Sequence, residues 1–210
     1  MSTLYYIHDP MCSWCYAFKP VYQALLKQLP DSVSSVSLLG GLAPDTDQPM
    51  PLEMQQQLKA TWQRIEQQVP GIHFNYDFWE QAEQTRPRRT TYPACRAVIA
   101  ARQINPGKEA AMIEAIQNAY YQQARNPSDP DTLTAIAQET GLKADQFSRH
   151  LHAPETQHIL DQEIARSRQL NISSYPSLVL QTHDQATSVS IDYNSHRNIL
   201  NTINSILNFA

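Results

Sequence analysis

The chain has 210 residues, of which 41% are hydrophobic and 17% charged, and its formal net charge is −4. That is enough apolar material for a core and excludes a disordered chain, while the acidic balance excludes a basic nucleic-acid footprint. Three cysteines are too few for a dense disulfide scaffold. The first residues carry no basic segment and soon reach Asp9-Pro10, which does not read as a secretory signal. No apolar stretch approaches the ~18 residues of a membrane span. The expectation is a cytoplasmic protein, with no nucleic acid or membrane as partner, in a compartment where thiols stay reduced.

Residues 4–8 are short, apolar and aromatic, and predict a strand that Asp9-Pro10 stops. Over residues 12–29, Cys15, Phe18, Tyr22, Leu25, Leu26 and Leu29 fall on one helical stripe, ended by Pro30-Asp31. Residues 33–39 are β-branched and apolar, and Gly40-Gly41 closes them as a second strand. A strand, a helix and a strand in this order make a βαβ unit with parallel strands and a right-handed crossover. A helix opening at Pro49-Met50-Pro51 then carries Met54, Leu58, Trp62, Ile65 and Val69, and Pro70-Gly71 stops it. An aromatic loop (Phe74, Tyr76, Phe78, Trp79) leads to helices over 93–102 and 108–125. Asp129-Pro130 starts another helix, Gly141 suits its end, and a further helix covers 154–170. Nothing between about 44 and 171 alternates with period two, so this stretch is an all-helical block. Period two returns with a strand over 177–180 and a second through Val189, Ile191 and Tyr193, paired as an antiparallel hairpin around His183-Asp184. Ser195 caps a last helix with Ile199, Leu200, Ile203, Ile206 and Leu207 on one face.

Cys12-Ser13-Trp14-Cys15 is the stretch that speaks of chemistry. Positions i and i+3 share a helix face, so the two sulfurs can meet. Cys12 would sit in the first helical turn, where unpaired N–H groups and the macrodipole favour thiolate and lower its pKa. Cys15, one turn deeper, would be more buried and stay a thiol. Cys12 would then attack a substrate disulfide, and Cys15 would resolve the mixed disulfide. Zinc also uses Cys-x-x-Cys, but a second pair is missing: Cys95 is alone, and His150 and His152 lie in a polar helix. Two core cysteines at chance spacing are the other bland reading, disfavoured by the strand-to-helix junction.

Asp9-Pro10-Met11-Cys12-Ser13-Trp14-Cys15-Tyr16, following a first strand, resembles the DsbA-like branch of the thioredoxin superfamily, in particular its cytoplasmic FrnE-like members, described as protein-disulfide isomerases. The resemblance covers essentially the whole chain. It implies an α/β class: a thioredoxin fold built from residues 1–43 and 172–210, interrupted by a helical insertion over 44–171. A second match is Ile172-Ser173-Ser174-Tyr175-Pro176-Ser177-Leu178, similar to the family's cis-proline segment before the third strand. There Pro176 has no N–H to bond a cysteine sulfur, and Tyr175 would offer its backbone to an extended substrate; alternatively Pro176 only starts a strand. A third match, Thr91-x-x-Ala94-x-Arg96, resembles a helix-start motif, although the family favours Asn before Thr or Ser where this chain has Thr90-Thr91.

The resemblance implies catalytic Cys12 and Cys15, with Ser13, Trp14, Tyr175 and Pro176 facing substrate. It implies protein or peptide disulfides as substrates and glutathione or a thioredoxin-type system for recycling. No cofactor is expected beyond the redox-active pair, with glutathione as a co-substrate, and no metal. Two other functions compete. One is a glutathione-dependent transferase or isomerase of the kappa-class and hydroxychromene-carboxylate isomerase type, whose members carry serine where Cys12 stands. The other is a non-enzymatic peptide-binding module. Of the remaining candidates, Cys95 reads as a small buried hydrophobe or a third redox thiol. Arg96 reads as an ion-pair partner or an anion anchor, Asp9 as an N–H acceptor near the helix start, and His8 as a strand residue facing the core.

Overall fold

A computed structural model describes residues 2–183 and 185–209. The chain divides into two units, Met1–Gly40 with Glu163–Ala210, and Gly41–Gln162. The first holds a four-stranded sheet, and the second is helical.

In the sheet unit, β1 (Ser2–His8), α1 (Ser13–Leu26) and β2 (Val33–Leu39) form the βαβ unit, with β1 and β2 parallel. After the helical unit, β3 (Ser177–Gln181) pairs antiparallel with β1, and β4 (Ala186–Val189) pairs antiparallel with β3, giving the order β2-β1-β3-β4. Alternation sorts β1 onto two faces. Leu4 and Tyr6 meet Phe18 and Leu25 of α1, and Ile199 and Ile203 of the last helix (His196–Phe209). Tyr5 and Ile7 meet Leu38, Val179, Leu170 and Tyr175 on the other face. The last helix starts at a built cap: Ser195 Oγ accepts the Asn198 N–H at 3.4 Å, and Asp192 Oδ1 accepts the Asn194 and Ser195 N–H groups. The Asn198 side-chain amide, followed by the Asn194 and Ser195 N–H groups, holds the Asp192 carboxyl below its ordinary pKa.

The second strand of the expected hairpin is corrected. It covers 186–189, and Ile191 and Tyr193 lie beyond it, packed against the core from an irregular segment. The register pairs Leu178 with Val189, so Ile191 would have to face Pro176. Proline has no N–H to give, and the ladder stops there. Of the turn expected at His183-Asp184, Asp184 lies outside the described residues.

The helical unit comprises α2 (Leu52–Gln68), the short α3 (Asp77–Glu80) and α4 (Ala82–Thr85), α5 (Tyr92–Ile104), a 3-10 turn (Pro106–Lys108), α6 (Glu109–Tyr121), α7 (Pro130–Glu139) and α8 (Ala144–Leu151). It also holds the first part of α9 (Pro154–Gln169). The alanine-rich α5 packs against α6 and α8, and Ala94, Cys95, Ala97, Val98 and Ala101 are fully buried. The expected aromatic loop is partly α3 and α4. Its rings surround Trp62, which stacks on Phe74 with centroids 4.9 Å apart and meets Trp79, Tyr120 and Tyr121 edge-on. Asp129 is the N-cap residue of α7, but its carboxylate reaches Arg88 at 2.7 Å instead of the helix N–H groups.

The sequence placed the return to the sheet at residue 172; the chain rejoins the sheet unit at Glu163, inside α9. Glu163 accepts the Leu39 N–H at 2.7 Å, Arg166 lies over the Tyr5 ring, and Leu170 enters the second-face cluster. Among the described residues, no helix is long and apolar enough to cross a membrane.

Candidate active site

The site forms where β1 gives way to α1. Asp9 turns the chain: its Oδ1 accepts the Met11 N–H at 2.8 Å, and its carbonyl accepts the Cys12 N–H at 3.0 Å. Cys12 is therefore the N-cap residue of α1, with extended backbone angles (φ −85°, ψ 115°), and not a member of the first turn as the spacing suggested. A cap side chain can accept from the N–H two or three residues on. The Cys12 sulfur does so, taking the Cys15 N–H at 3.4 Å. It also donates its own S–H to the Tyr175 carbonyl at 3.4 Å. Both cysteines are buried, Cys12 6% exposed and Cys15 1%.

Burial pushes the Cys15 thiol well above its ordinary pKa, and the bond to Cys12 adds to the rise. Asp9 is wholly buried nearby and acts on Cys15 in both senses: its backbone hydrogen bond lowers the thiol pKa, and its charge raises it by less. Tyr6 and Tyr193 face the pair, and both phenols are pushed up, first by burial and then by the two cysteines.

The other residues singled out from the sequence fall as follows. Ser13 opens α1 and is 9% exposed. Trp14 is half-buried on α1, its ring 4.9 Å from that of Tyr193. The Tyr175–Pro176 bond is cis, Pro176 is buried, and Tyr175 is half-buried. His8 is a buried strand residue, bonded to Ser37 Oγ at 2.8 Å and stacked on Tyr6. Cys95 lies fully buried in α5. Arg96 forms an ion pair with Asp45 at 2.6 Å and also reaches Gln157. Thr91 is the N-cap residue of α5, and its Oγ1 accepts the Ala43 N–H at 3.0 Å. Among the described residues, no three His, Cys, Asp or Glu side chains gather as metal ligands.

Sequence reasoning did not single out Tyr6, Tyr193 or Gly40 for this site. In the sequence Tyr6 and Tyr193 are strand positions and Gly40 is a strand end. Their alternation and punctuation were visible, but the sheet register that aims them was not.

Comparison with known proteins gives a consistent relationship. Residues 4–195 match the model of the DSBA-like thioredoxin domain. A crystal structure of a candidate protein disulfide isomerase from Nitrosomonas europaea superposes with a TM-score of 0.84 at 25% identity, covering 99% of this chain and 98% of that one. The cytosolic disulfide reductase DsbM from Pseudomonas aeruginosa gives 0.76 at 21% identity over 99% of this chain and 100% of that one, and DsbM has also been solved with GSH. Among curated proteins, the ClpXP adapter protein SpxH of Bacillus subtilis is 24% identical over 205 residues, which is 94% of this chain. The chain spans 66% of the length of that relative. The α/β sheet with its helical insertion is a thioredoxin fold, and the chain belongs to the DSBA-like thioredoxin domain family.

Proposed function

We propose that this protein is a thiol–disulfide oxidoreductase acting on protein or peptide disulfides. The observation that carries the reading is the Cys12 sulfur at the start of α1, taking the Cys15 N–H while Cys15 lies one turn deeper. The unpaired N–H groups of a helix start favour an anion at that point.

The exchange balances in two steps. The Cys12 thiolate attacks one sulfur of the substrate disulfide. A Cys12–substrate disulfide forms, the substrate S–S bond breaks, and one substrate thiolate leaves and takes a proton from solvent. Cys15 then loses its proton and attacks the Cys12 sulfur. The Cys12–Cys15 disulfide forms, and the second substrate thiol departs. Two electrons have passed from the protein dithiol to the substrate. The raised pKa of Cys15 suits the order, because it keeps the resolving group protonated until the mixed disulfide exists.

In this reading Ser13, Trp14 and Pro176 would face the substrate, and the Tyr175 backbone would offer an extended substrate a place to pair. The two cysteines are the redox group, and no other cofactor is invoked. Glutathione or a thioredoxin-type partner would return the disulfide to the dithiol, a choice supported by the GSH complex of DsbM. A cytoplasmic location is consistent with the name of that relative, and it favours work as a reductase or isomerase. The test is the reduction of insulin and of glutathione disulfide by wild type and Cys12→Ser. Equal rates would end this reading.

A further inference from the structure

Three aromatic residues of α1, Trp14, Phe18 and Tyr22, stand four positions apart and so share one stripe of the helix. From Trp14 to Tyr22 that stripe spans about 12 Å of helix axis. Two tyrosines from other segments complete a row of rings. Tyr193, beyond β4, has its centroid 4.9 Å from that of Trp14 and 5.9 Å from that of Phe18. Tyr6 of β1 lies 5.9 Å from Phe18 and 4.0 Å from Tyr22. The turn that carries Tyr193 is fixed from both sides, because Asp192 accepts the N–H groups of Asn194 and Ser195. Phe18 and Tyr6 are buried in the middle of the row, and Trp14 and Tyr22 are half-buried at its ends. One end lies between the two cysteines. At the other, the Tyr22 hydroxyl meets Ser35 Oγ at 3.0 Å on the exposed surface.

We propose that this row is a path for single oxidising equivalents: an electron vacancy formed on Trp14 moves through Tyr193 and Tyr6 to Tyr22, which holds it at the surface as a tyrosyl radical. The activity is separate from the two-electron exchange proposed for Cys12 and Cys15 and does not depend on it. It moves one-electron damage away from the segment between the cysteines.

The steps balance. A one-electron oxidant of the carbonate-radical or azide-radical class takes one electron from Trp14 and becomes its anion, and the indole proton goes to water. An indolyl radical oxidises a phenol. Trp14 therefore regains an electron from Tyr193, Tyr193 from Tyr6 and Tyr6 from Tyr22, and the indole nitrogen regains a proton from solvent. Phe18, whose plain ring is harder to oxidise than an indole or a phenol, bridges Tyr193 and Tyr6 without holding the vacancy. A lasting tyrosyl radical must lose its phenol proton. Burial pushes the Tyr6 and Tyr193 phenols above their ordinary pKa, so the proton leaves most readily from Tyr22, at the exposed edge it shares with Ser35. The net result is one electron and one proton lost from Tyr22, with Trp14 restored. A small-molecule thiol then returns a hydrogen atom to Tyr22 and leaves as its own thiyl radical.

The experiment uses the full chain carrying Cys12→Ser/Cys15→Ser, so that no thiol beside Trp14 competes as reductant. Azide radical, which prefers indoles, is generated in the presence of a nitroso spin trap, and adducts are mapped by peptide mass spectrometry. The expected result is a trap adduct on Tyr22 and little oxidised Trp14. Trp14→Phe should abolish the Tyr22 adduct. Tyr6→Phe/Tyr193→Phe keeps every ring in place but removes both stations between the ends; the Tyr22 adduct should be lost and oxidised Trp14 should accumulate. A Tyr22 adduct that persists undiminished in either variant reports direct attack from solvent and overturns the proposal, as does the absence of a Tyr22 adduct in the parent. If the double variant does not fold, Trp14→Phe, a ring-for-ring change at a half-buried position, decides alone.

Discussion

In the sheet unit, Cys12 caps α1; in the helical unit, α5 carries Cys95 within its first four residues. Both are buried cysteines near a helix start, yet their surroundings differ. Cys12 is the cap, so its sulfur stands where the first N–H groups point, and Cys15 N–H reaches it. Cys95 lies past the cap, where its own N–H already bonds the Thr91 carbonyl at 3.0 Å. Its neighbours Ala94, Ala97 and Val98 are wholly buried. A helix start offers its field to the cap side chain; a few residues inward the backbone donors belong to the helical ladder. The exchange proposed above thus falls to the cysteine at the cap, while the one inside the helix is surrounded by core.

The largest effect expected is from Cys12→Ser, which should lower insulin reduction by roughly three orders of magnitude, because a hydroxyl does not replace a thiolate nucleophile. If Cys95→Ser did the same, the contrast between the two helix starts would be lost. Cys15→Ser should stop turnover after the first step and accumulate a Cys12–substrate disulfide, detectable as an intact adduct by mass spectrometry.

Trp62→Ala sharpens the comparison from the packing side. The ring is 1% exposed among six aromatic partners, and its loss should cost about 3–5 kcal/mol in denaturant unfolding.

The reduced protein should also lose stability in alkali. The folded Cys15 pKa lies above its ordinary 9.0, so the unfolded chain releases that proton first. The contribution is fully present below about pH 9 and falls as the pH rises from there toward the folded value. Tyr6 adds the same trend above its ordinary 10.0. Thermal melts from about pH 8 to about pH 10 should show a smaller decline for Cys15→Ala than for wild type.

The smallest effect is from Cys95→Ala, about 1 kcal/mol of stability for a sulfur lost from a closed core, with exchange activity retained.

Much of the fold was legible because its signals are local. The period of residues 4–8, the stripe Phe18, Tyr22 and Leu25, the alanines around Cys95 and the cap at Ser195 each depend on neighbours within a few positions. The misplaced pieces depended on distant partners. Val189, Ile191 and Tyr193 alternate like a strand, but the ladder ends where Ile191 would meet Pro176. Asp129 reads as a helix cap, but Arg88 takes its carboxylate.

By itself, the sequence determined that two cysteines share a strand-to-helix junction, and that a helical block separates a βαβ unit from a ββα unit. Periodicity and caps carry that information because they involve residues close along the chain. Only the tertiary structure decided what stands over Cys12. The Tyr175 carbonyl comes from 163 positions away, and the phenol behind it sits on a glycine at the end of another strand. Those neighbours follow from sheet register, which many distant side chains set together and no short stretch encodes.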